Sequence, residues 1–93
     1  MAIEVRIPTV LREHTLGEKK VTGQGATLRE LVADLESRYP GIGPRLVGED
    51  GQLHRFINVY VDDEDVRYLG GVETPLRDGA EVSILPAVAG GAF

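Results

Sequence analysis

TLRELVADLESRYP, residues 27–40, carries the strongest pattern in the sequence. Thr27 suits the N-cap of a helix, and Glu30, three residues later, completes a capping box. Apolar residues then recur at the i, i+3, i+4, i+7, i+11 spacing of one buried stripe, with charged residues between them. We therefore predict a helix over 28–39, ended by Pro40, that buries Leu28, Leu31, Val32, Leu35 and Tyr39.

The residues before this helix predict a β-hairpin. Residues 3–7 alternate between apolar and polar, the period of a half-buried strand. Residues 11–17 are typical of a turn, and residues 18–22 are suited to the returning strand. Residues 23–25, Gly-Gln-Gly, lack the Lys and Ser/Thr of a phosphate-binding loop, so they predict a turn into the helix.

Three more strands are predicted after the helix and a short helical turn at 43–47. Residues 56–61 alternate, with Ile57, Val59 and Val61 on one face and Phe56, Asn58 and Tyr60 on the other. Residues 62–65 form a turn toward a short strand at 66–68. Asp-Gly at 78–79 is a turn signal before a last strand at 81–85, with Val82 and Ile84 inward.

The order of these elements predicts an α+β fold. A mixed sheet of four to five strands packed on one main helix would bury the apolar face of every element predicted above. The last strand would lie beside the first, in parallel, at the centre of the sheet. This is the ubiquitin-like, or β-grasp, arrangement.

Composition excludes several classes of function. The chain has 93 residues, enough for one domain, and no cysteine, which excludes disulfides, thiolate metal sites and a cysteine nucleophile. A net charge of −5 argues against nucleic-acid binding. No apolar run is long enough to span a membrane, and residues 1–8 lack the pattern of a signal peptide. We expect a cytoplasmic protein without membrane contact.

No residues form a recognisable catalytic or metal-binding set. The acidic residues 62–65 lack the alternating ligands and central glycine of an EF-hand loop and are better interpreted as a solvated turn. His14 and His54 are far apart and have no HExxH or cysteine partner. Without a nucleophile, metal set or acid–base pair, we expect no enzyme, no catalytic residue and no metal site.

Three stretches of the sequence resemble one known family. RIPTVLREHT at 6–15, LHRFINVYVDDEDVR at 53–67 and DGAEVSILPAVAGG at 78–91 are similar to the MoaD/ThiS sulfur carriers. The likeness covers nearly the whole chain and is strongest to the carriers that feed cysteine synthesis in actinobacteria. It implies a folded domain over 1–87 and a flexible tail over 88–93 that contains Gly90 and Gly91.

The resemblance also implies a chemistry for this tail. In the family, an E1-like enzyme of the MoeB/ThiF type uses ATP to adenylate the terminal glycine, and sulfur then displaces AMP to leave a thiocarboxylate. The carrier itself contributes no catalytic side chain and binds no cofactor. Glycine suits such a tail because it has no Cβ and can pass through a narrow channel. The reactive carboxyl group would belong to Gly91.

Ala92 and Phe93 follow Gly91 in this sequence, so the Gly91 carboxyl group is held in an amide. Some family members carry a short extension that a JAMM-type zinc metalloprotease removes. We expect cleavage between Gly91 and Ala92, which would make this sequence a precursor. The remaining partner that the resemblance implies is a cysteine-synthase-like enzyme or another sulfur acceptor.

Three exposed apolar residues are candidates for partner docking. Phe56, Tyr60 and Leu85 are predicted on the sheet face opposite the helix, where they form either a docking surface or a face covered by loops. The family resemblance favours docking of the E1-like enzyme. Arg12 and Arg77 are placed near this surface without an independent argument for their role.

Alternatives to a sulfur carrier for cysteine synthesis stay open at this point. The same fold and tail occur in ubiquitin-like modifiers, which would be joined to target lysines through Gly91. Carriers for molybdopterin, thiamine or a specialised thio-metabolite are built alike. A third class is an interaction module whose tail has no chemistry.

Overall fold

A computed structural model of the protein describes residues 2–86, in which the helix α1 (Leu28–Arg38) lies across one face of a five-stranded sheet. A single helical turn, α2 (Gly43–Leu46), follows it. None of the helices within these residues is long and apolar enough to cross a membrane. The strands are β1 (Ala2–Arg6), β2 (Lys20–Gln24), β3 (Ile57–Val61), β4 (Glu64–Asp65) and β5 (Glu81–Pro86).

The strand order is β2-β1-β5-β3-β4, so the last long strand occupies the centre of the sheet. Strand β5 runs parallel to β1, with Val5 opposite Val82. It runs antiparallel to β3, with Val59 opposite Ile84. This topology confirms the predicted β-grasp fold. The predicted boundary between a domain at 1–87 and a tail at 88–93 lies outside the described residues and stays a prediction.

Helix α1 begins as its sequence predicts. The Thr27 hydroxyl accepts a hydrogen bond from the Glu30 backbone N–H at 3.3 Å. The Glu30 carboxylate in turn accepts one from the Ala26 N–H at 3.1 Å, one residue before the usual partner in a capping box. The helix ends at Arg38, and the Tyr39 N–H still bonds to the Leu35 carbonyl. Both ends therefore satisfy backbone groups that a helix terminus leaves free.

The predicted apolar stripe of α1 forms one side of the core. Leu31 and Leu35 are each 1% exposed, and they pack with the inward side chains of the strands, while Tyr39 is partly buried against the same core. Gly23 on β2 lets the helix approach the sheet this closely, because a Cβ there would lie 2.6 Å from Leu31 Cδ1. Gly25 lets the chain fold back tightly against the start of the helix, because its Cβ would lie 2.5 Å from the Leu31 backbone nitrogen. The prediction of a turn over 23–25 is wrong for Gly23 and Gln24, which pair with Ile3 and Ala2 as the end of β2, and only Gly25 and Ala26 connect the strand to the helix.

The prediction of a strand at 66–68 is wrong, because these residues form a 3₁₀ helix, Val66–Tyr68. Asp62 and Asp63 both have positive φ, 50° and 71°, and this tight two-residue turn returns the chain at once into β4. The Asp65 carboxylate then accepts a hydrogen bond from the Arg67 N–H at 2.9 Å and starts the 3₁₀ turn. Pairing therefore occurs two residues earlier than predicted.

The connection between β1 and β2 is also more regular than a turn. Residues Thr9–Thr15 form a 3₁₀ helix that ends at Leu16, whose φ is 58°. The buried Thr15 hydroxyl donates to backbone oxygens at the end of this segment, the closer being that of Glu18 at 2.9 Å. Because this turn holds Glu18, the returning strand begins at Lys20 and not at residue 18 as predicted.

Candidate docking face and tail

The sheet face opposite α1 is open and carries the candidate docking residues. Tyr60 on β3 lies opposite Ser83 on β5, and Asn58 lies opposite Leu85. Their inward neighbours are buried against the helix, whereas Leu85 is 47% exposed and Tyr60 is half-buried. The alternation of each strand thus places Tyr60 and Leu85 on the same outward side, as predicted from the sequence.

Tyr60 and Leu85 line one groove, together with Pro8 and Ser83. Phe56 does not belong to this groove. It precedes β3, is 63% exposed and lines a neighbouring depression that also contains His54. The structure therefore brings two of the three predicted docking residues together and leaves the third beside them.

Four basic side chains complete the groove around Tyr60 and Leu85, and we call them the basic rim. They come from β1, from the 3₁₀ helix that follows it and from the start of β2. Sequence reasoning missed all of them except Arg12, because they share no spacing with the apolar residues they surround. The basic rim consists of Arg6, Arg12, Lys19 and Lys20.

Two of the rim residues are paired with acids on the same face. Lys20 Nζ lies 2.8 Å from Glu4 Oε1, and Arg6 lies 3.1 Å from Glu81 Oε1. The hydrogen bond from Lys20, followed by its positive charge, lowers the pKa of the Glu4 carboxyl from its ordinary value. Each of these two cations is thus largely neutralised by the carboxylate that it contacts.

The other two rim residues keep an uncompensated charge. Arg12 Nε donates to the Ile7 carbonyl at 3.1 Å, which fixes the guanidinium group at the groove. Within residues 2–86, neither Arg12 nor Lys19 has a carboxylate within 4.0 Å. Arg77, in contrast, lies 3.6 Å from Asp62 and does not line the groove. The groove thus has an apolar floor and four cations at its rim, and Asp63 lines it as well.

The groove lies at the end of the face from which the chain continues toward its glycines. Leu85 is followed by Pro86, which lies opposite Ile57 at the last position of β5. Gly90, Gly91 and the predicted cleavage site between Gly91 and Ala92 lie outside the described residues. Any partner that contacts this face near Leu85 is therefore close to Pro86, the last residue that the structure describes.

The part of the chain that the structure describes contains no group of three or more His, Cys, Asp or Glu residues placed to hold a metal ion. The acidic residues at 62–65 form the tight turn and the short strand β4. His54 is used locally, with its Nε2 2.7 Å from the Pro44 carbonyl oxygen. These residues have structural roles that account for their presence.

Comparison with known proteins agrees with this geometry. The ThiS family matches residues 5–91. The sulfur carrier protein CysO of Mycobacterium tuberculosis is 54% identical over 93 residues, which cover 98% of this chain and 100% of CysO. Small archaeal modifier protein 3 of Haloferax volcanii is 36% identical over 94 residues, covering 98% of this chain and 100% of its own.

Solved structures show the same relationship. The crystal structure of M. tuberculosis CysO has a TM-score of 0.89 at 52% identity, covering 92% of this chain and 99% of CysO. A chain of the Amycolatopsis orientalis BexX/CysO complex also has a TM-score of 0.89, at 60% identity and with 96% and 99% coverage. From the family match and these full-length likenesses, the chain belongs to the ThiS/MoaD family and is a homologue of the sulfur carrier protein CysO.

Proposed function

We propose that this chain carries sulfur as a thiocarboxylate on Gly91, after Ala92 and Phe93 have been removed. The observation that carries the proposal is that the family match runs through both glycines and stops at Gly91. In this role, a MoeB/ThiF-type enzyme transfers AMP from ATP to the Gly91 carboxylate and releases pyrophosphate. A sulfur nucleophile then displaces AMP, and the C–S bond of the thiocarboxylate replaces the C–O bond to phosphate.

The carrier contributes the reactive end, and its partners contribute the catalysis. The chain has no cysteine, so it cannot hold the sulfur as a persulfide of its own. It binds no cofactor in this scheme, and ATP is consumed by the activating enzyme. Because that step needs ATP, we place the carrier in the cytoplasm. Release of Ala92-Phe93 is assigned to a JAMM-type zinc metalloprotease, which would expose the Gly91 carboxylate.

Cysteine biosynthesis is the proposed destination of the sulfur. The 54% identity to CysO over the full length of both chains supports this assignment. The acceptor would be an activated serine, such as O-phosphoserine, on a cysteine-synthase-like enzyme, where sulfur displaces the leaving group. Molybdopterin, thiamine or a specialised thio-metabolite are alternative destinations. A chain 60% identical to this one occurs in a BexX/CysO complex, which supports delivery of the sulfur through contact with a partner protein in either case.

A ubiquitin-like modifier is the second candidate function, favoured by the 36% identity to a small archaeal modifier protein. The two functions share activation but differ in the bond that Gly91 finally makes. In tryptic digests of total protein from the native cells, a modifier should leave residues 78–91, DGAEVSILPAVAGG, on many target lysines, because Arg77 is the last trypsin site before Gly91. A carrier should leave no such remnant. Abundant isopeptide-linked remnants that disappear when the gene is deleted would replace the carrier proposal with the modifier.

Docking of the activating enzyme on the open face gives a separate prediction. Placing a charge by Leu85→Glu should raise the KM for activation of the Gly91-ending chain about tenfold or more, since burying one such apolar side chain contributes about 1.5–3 kcal/mol. Phe56→Glu should have a smaller effect, because Phe56 lies outside the groove. ATP–pyrophosphate exchange measures both.

The matched control for docking is Leu16→Glu, because Leu16 is 88% exposed and does not line the groove. This variant should be activated like the parent chain. If Leu85→Glu and Phe56→Glu both show the kinetics of the control, the open face is not the docking surface.

A further inference from the structure

The groove on the open face combines two features that point to a particular kind of partner. Its floor is apolar, formed by Pro8, Tyr60 and Leu85, and its edge is the basic rim. The whole chain has a net charge of −5, so this positive groove is a local exception to an acidic molecule. A positive groove on an otherwise acidic molecule favours specific recognition. The acidic remainder of the surface would repel an acidic partner from every other site.

The free charge of the rim lies where a partner would meet it. Glu4 and Glu81 neutralise Lys20 and Arg6, whereas Arg12 and Lys19 have no such acid within the described part of the chain. Arg12 is half-buried and held by its bond to the Ile7 carbonyl, so its guanidinium group is ordered before any partner arrives. An ordered, unneutralised cation beside an apolar floor favours a carboxylate on the incoming surface.

The partner that fits is a protein and not a polyphosphate. Glu4 and Glu81 share the open face with the basic rim, and Asp63 lines the same groove. These acids would repel a nucleic-acid backbone, whose binding depends on clustered uncompensated cations. The apolar floor also requires an apolar counterpart, which phosphates do not provide.

We propose that the partner enzyme presents an apolar centre flanked by carboxylates, and that these carboxylates contact Arg12 and Lys19 beside the entrance that admits the tail. The inference rests on the proposed docking function and adds the chemistry of the receiving surface. Since the groove ends at Leu85, one residue before β5 stops, the rim and the start of the tail approach the partner together. The rim would therefore steer and orient the carrier so that its tail meets the channel.

The test measures association of the Gly91-ending carrier with the E1-like enzyme of the same organism at low and at physiological salt. We expect Lys19→Glu combined with Arg12→Gln to lower the association rate constant about tenfold or more at low salt, and to flatten its salt dependence. The dissociation rate should change less, since charges at the edge of an interface act mainly on association. Lys19→Glu alone keeps the test possible if the double variant unfolds, with a smaller slowing expected.

Arg45→Glu is the matched control, because Arg45 is exposed on α2 and lines no part of the groove. It should bind with nearly parental rates. If Arg45→Glu slows association as much as Lys19→Glu does, net charge explains the effect and the proposed carboxylates are wrong. If the rim variants match the parent while Leu85→Glu weakens binding, the docking face stands and the acidic partner surface is wrong. If Leu85→Glu also has no effect, the docking function itself fails.

Discussion

The chain that ends at Gly91 should be adenylated, whereas the chain that continues through Ala92 and Phe93 should be inert. In the longer chain the Gly91 carboxyl group is an amide, which has no oxygen anion to attack the α-phosphate of ATP. A carboxylate on Phe93 would lie two residues further along, and each residue spans up to about 3.5 Å. Because a misplacement of about 1 Å can already cost a hundredfold in rate, we expect a loss of at least that size.

The matched controls for this prediction are chains that end at Ala92 and at Gly90. Each displaces the terminal carboxylate by one residue, in opposite directions, and leaves residues 2–86 unchanged. Both should be nearly inactive in ATP–pyrophosphate exchange with the E1-like enzyme. Equal rates for the 93-residue chain and the Gly91-ending chain would show that no removal of Ala92-Phe93 is needed.

The second large effect concerns the core. Leu31→Ala should lower the free energy of unfolding by about 2–5 kcal/mol, the range measured for a buried leucine reduced to alanine. Leu31 is 1% exposed and lies at the centre of the stripe that joins α1 to the sheet. A domain of this size has only about 5–15 kcal/mol of stability, so the variant loses a large share of it.

Leu16→Ala makes the same change of side chain at a residue that is 88% exposed. Its free energy of unfolding should stay within about 0.5 kcal/mol of the parent, as for most surface substitutions. Urea unfolding of both variants measures the difference. Similar losses for Leu31→Ala and Leu16→Ala would mean that the stripe is not the core contact described above.

Much of the fold is predictable because its long elements each follow one clean period. The apolar stripe of α1 and the alternation of β3 and β5 predict the same buried faces that the structure shows. Once one main helix and a central last strand are predicted, few arrangements of these elements can bury all of their apolar faces together. Val82 is an example, since its inward position places it beside Val5 on the neighbouring parallel strand.

The 3₁₀ turns escape prediction because local capping decides them and an apolar period does not, whereas the short helix α2 is predicted at 43–47 and found at Gly43–Leu46. Val66–Tyr68 alternates between apolar and polar residues, as a strand would. The Asp65 carboxylate, however, accepts a hydrogen bond from the Arg67 N–H, and the chain bends into a 3₁₀ turn. Phe56 shows a different limit, which is the exact residue at which a strand begins. The predicted strand at 56–61 begins one residue too early, because β3 begins at Ile57, and Phe56 lies outside the groove of Tyr60 and Leu85.

The basic rim could not be found from the sequence for a different reason. Arg6, Arg12 and Lys19 belong to three separate segments, and only the pairing of β1 with β2 and β5 brings them to one groove. The negative net charge of the chain pointed away from a positive surface. The net charge describes the composition of the whole chain, whereas recognition depends on where the fold places each charged side chain.

The most direct test of the sulfur-carrier proposal is the intact mass of the protein isolated from its native cells during growth that demands cysteine synthesis. We expect a form that ends at Gly91, part of it heavier by the exchange of one oxygen for sulfur. Deleting the E1-like enzyme should remove the heavier form and leave the unmodified Gly91 form. If the cells contain both the protease and the E1-like enzyme, and neither a Gly91-ending form nor its sulfur-bearing counterpart is found, the central claim is contradicted.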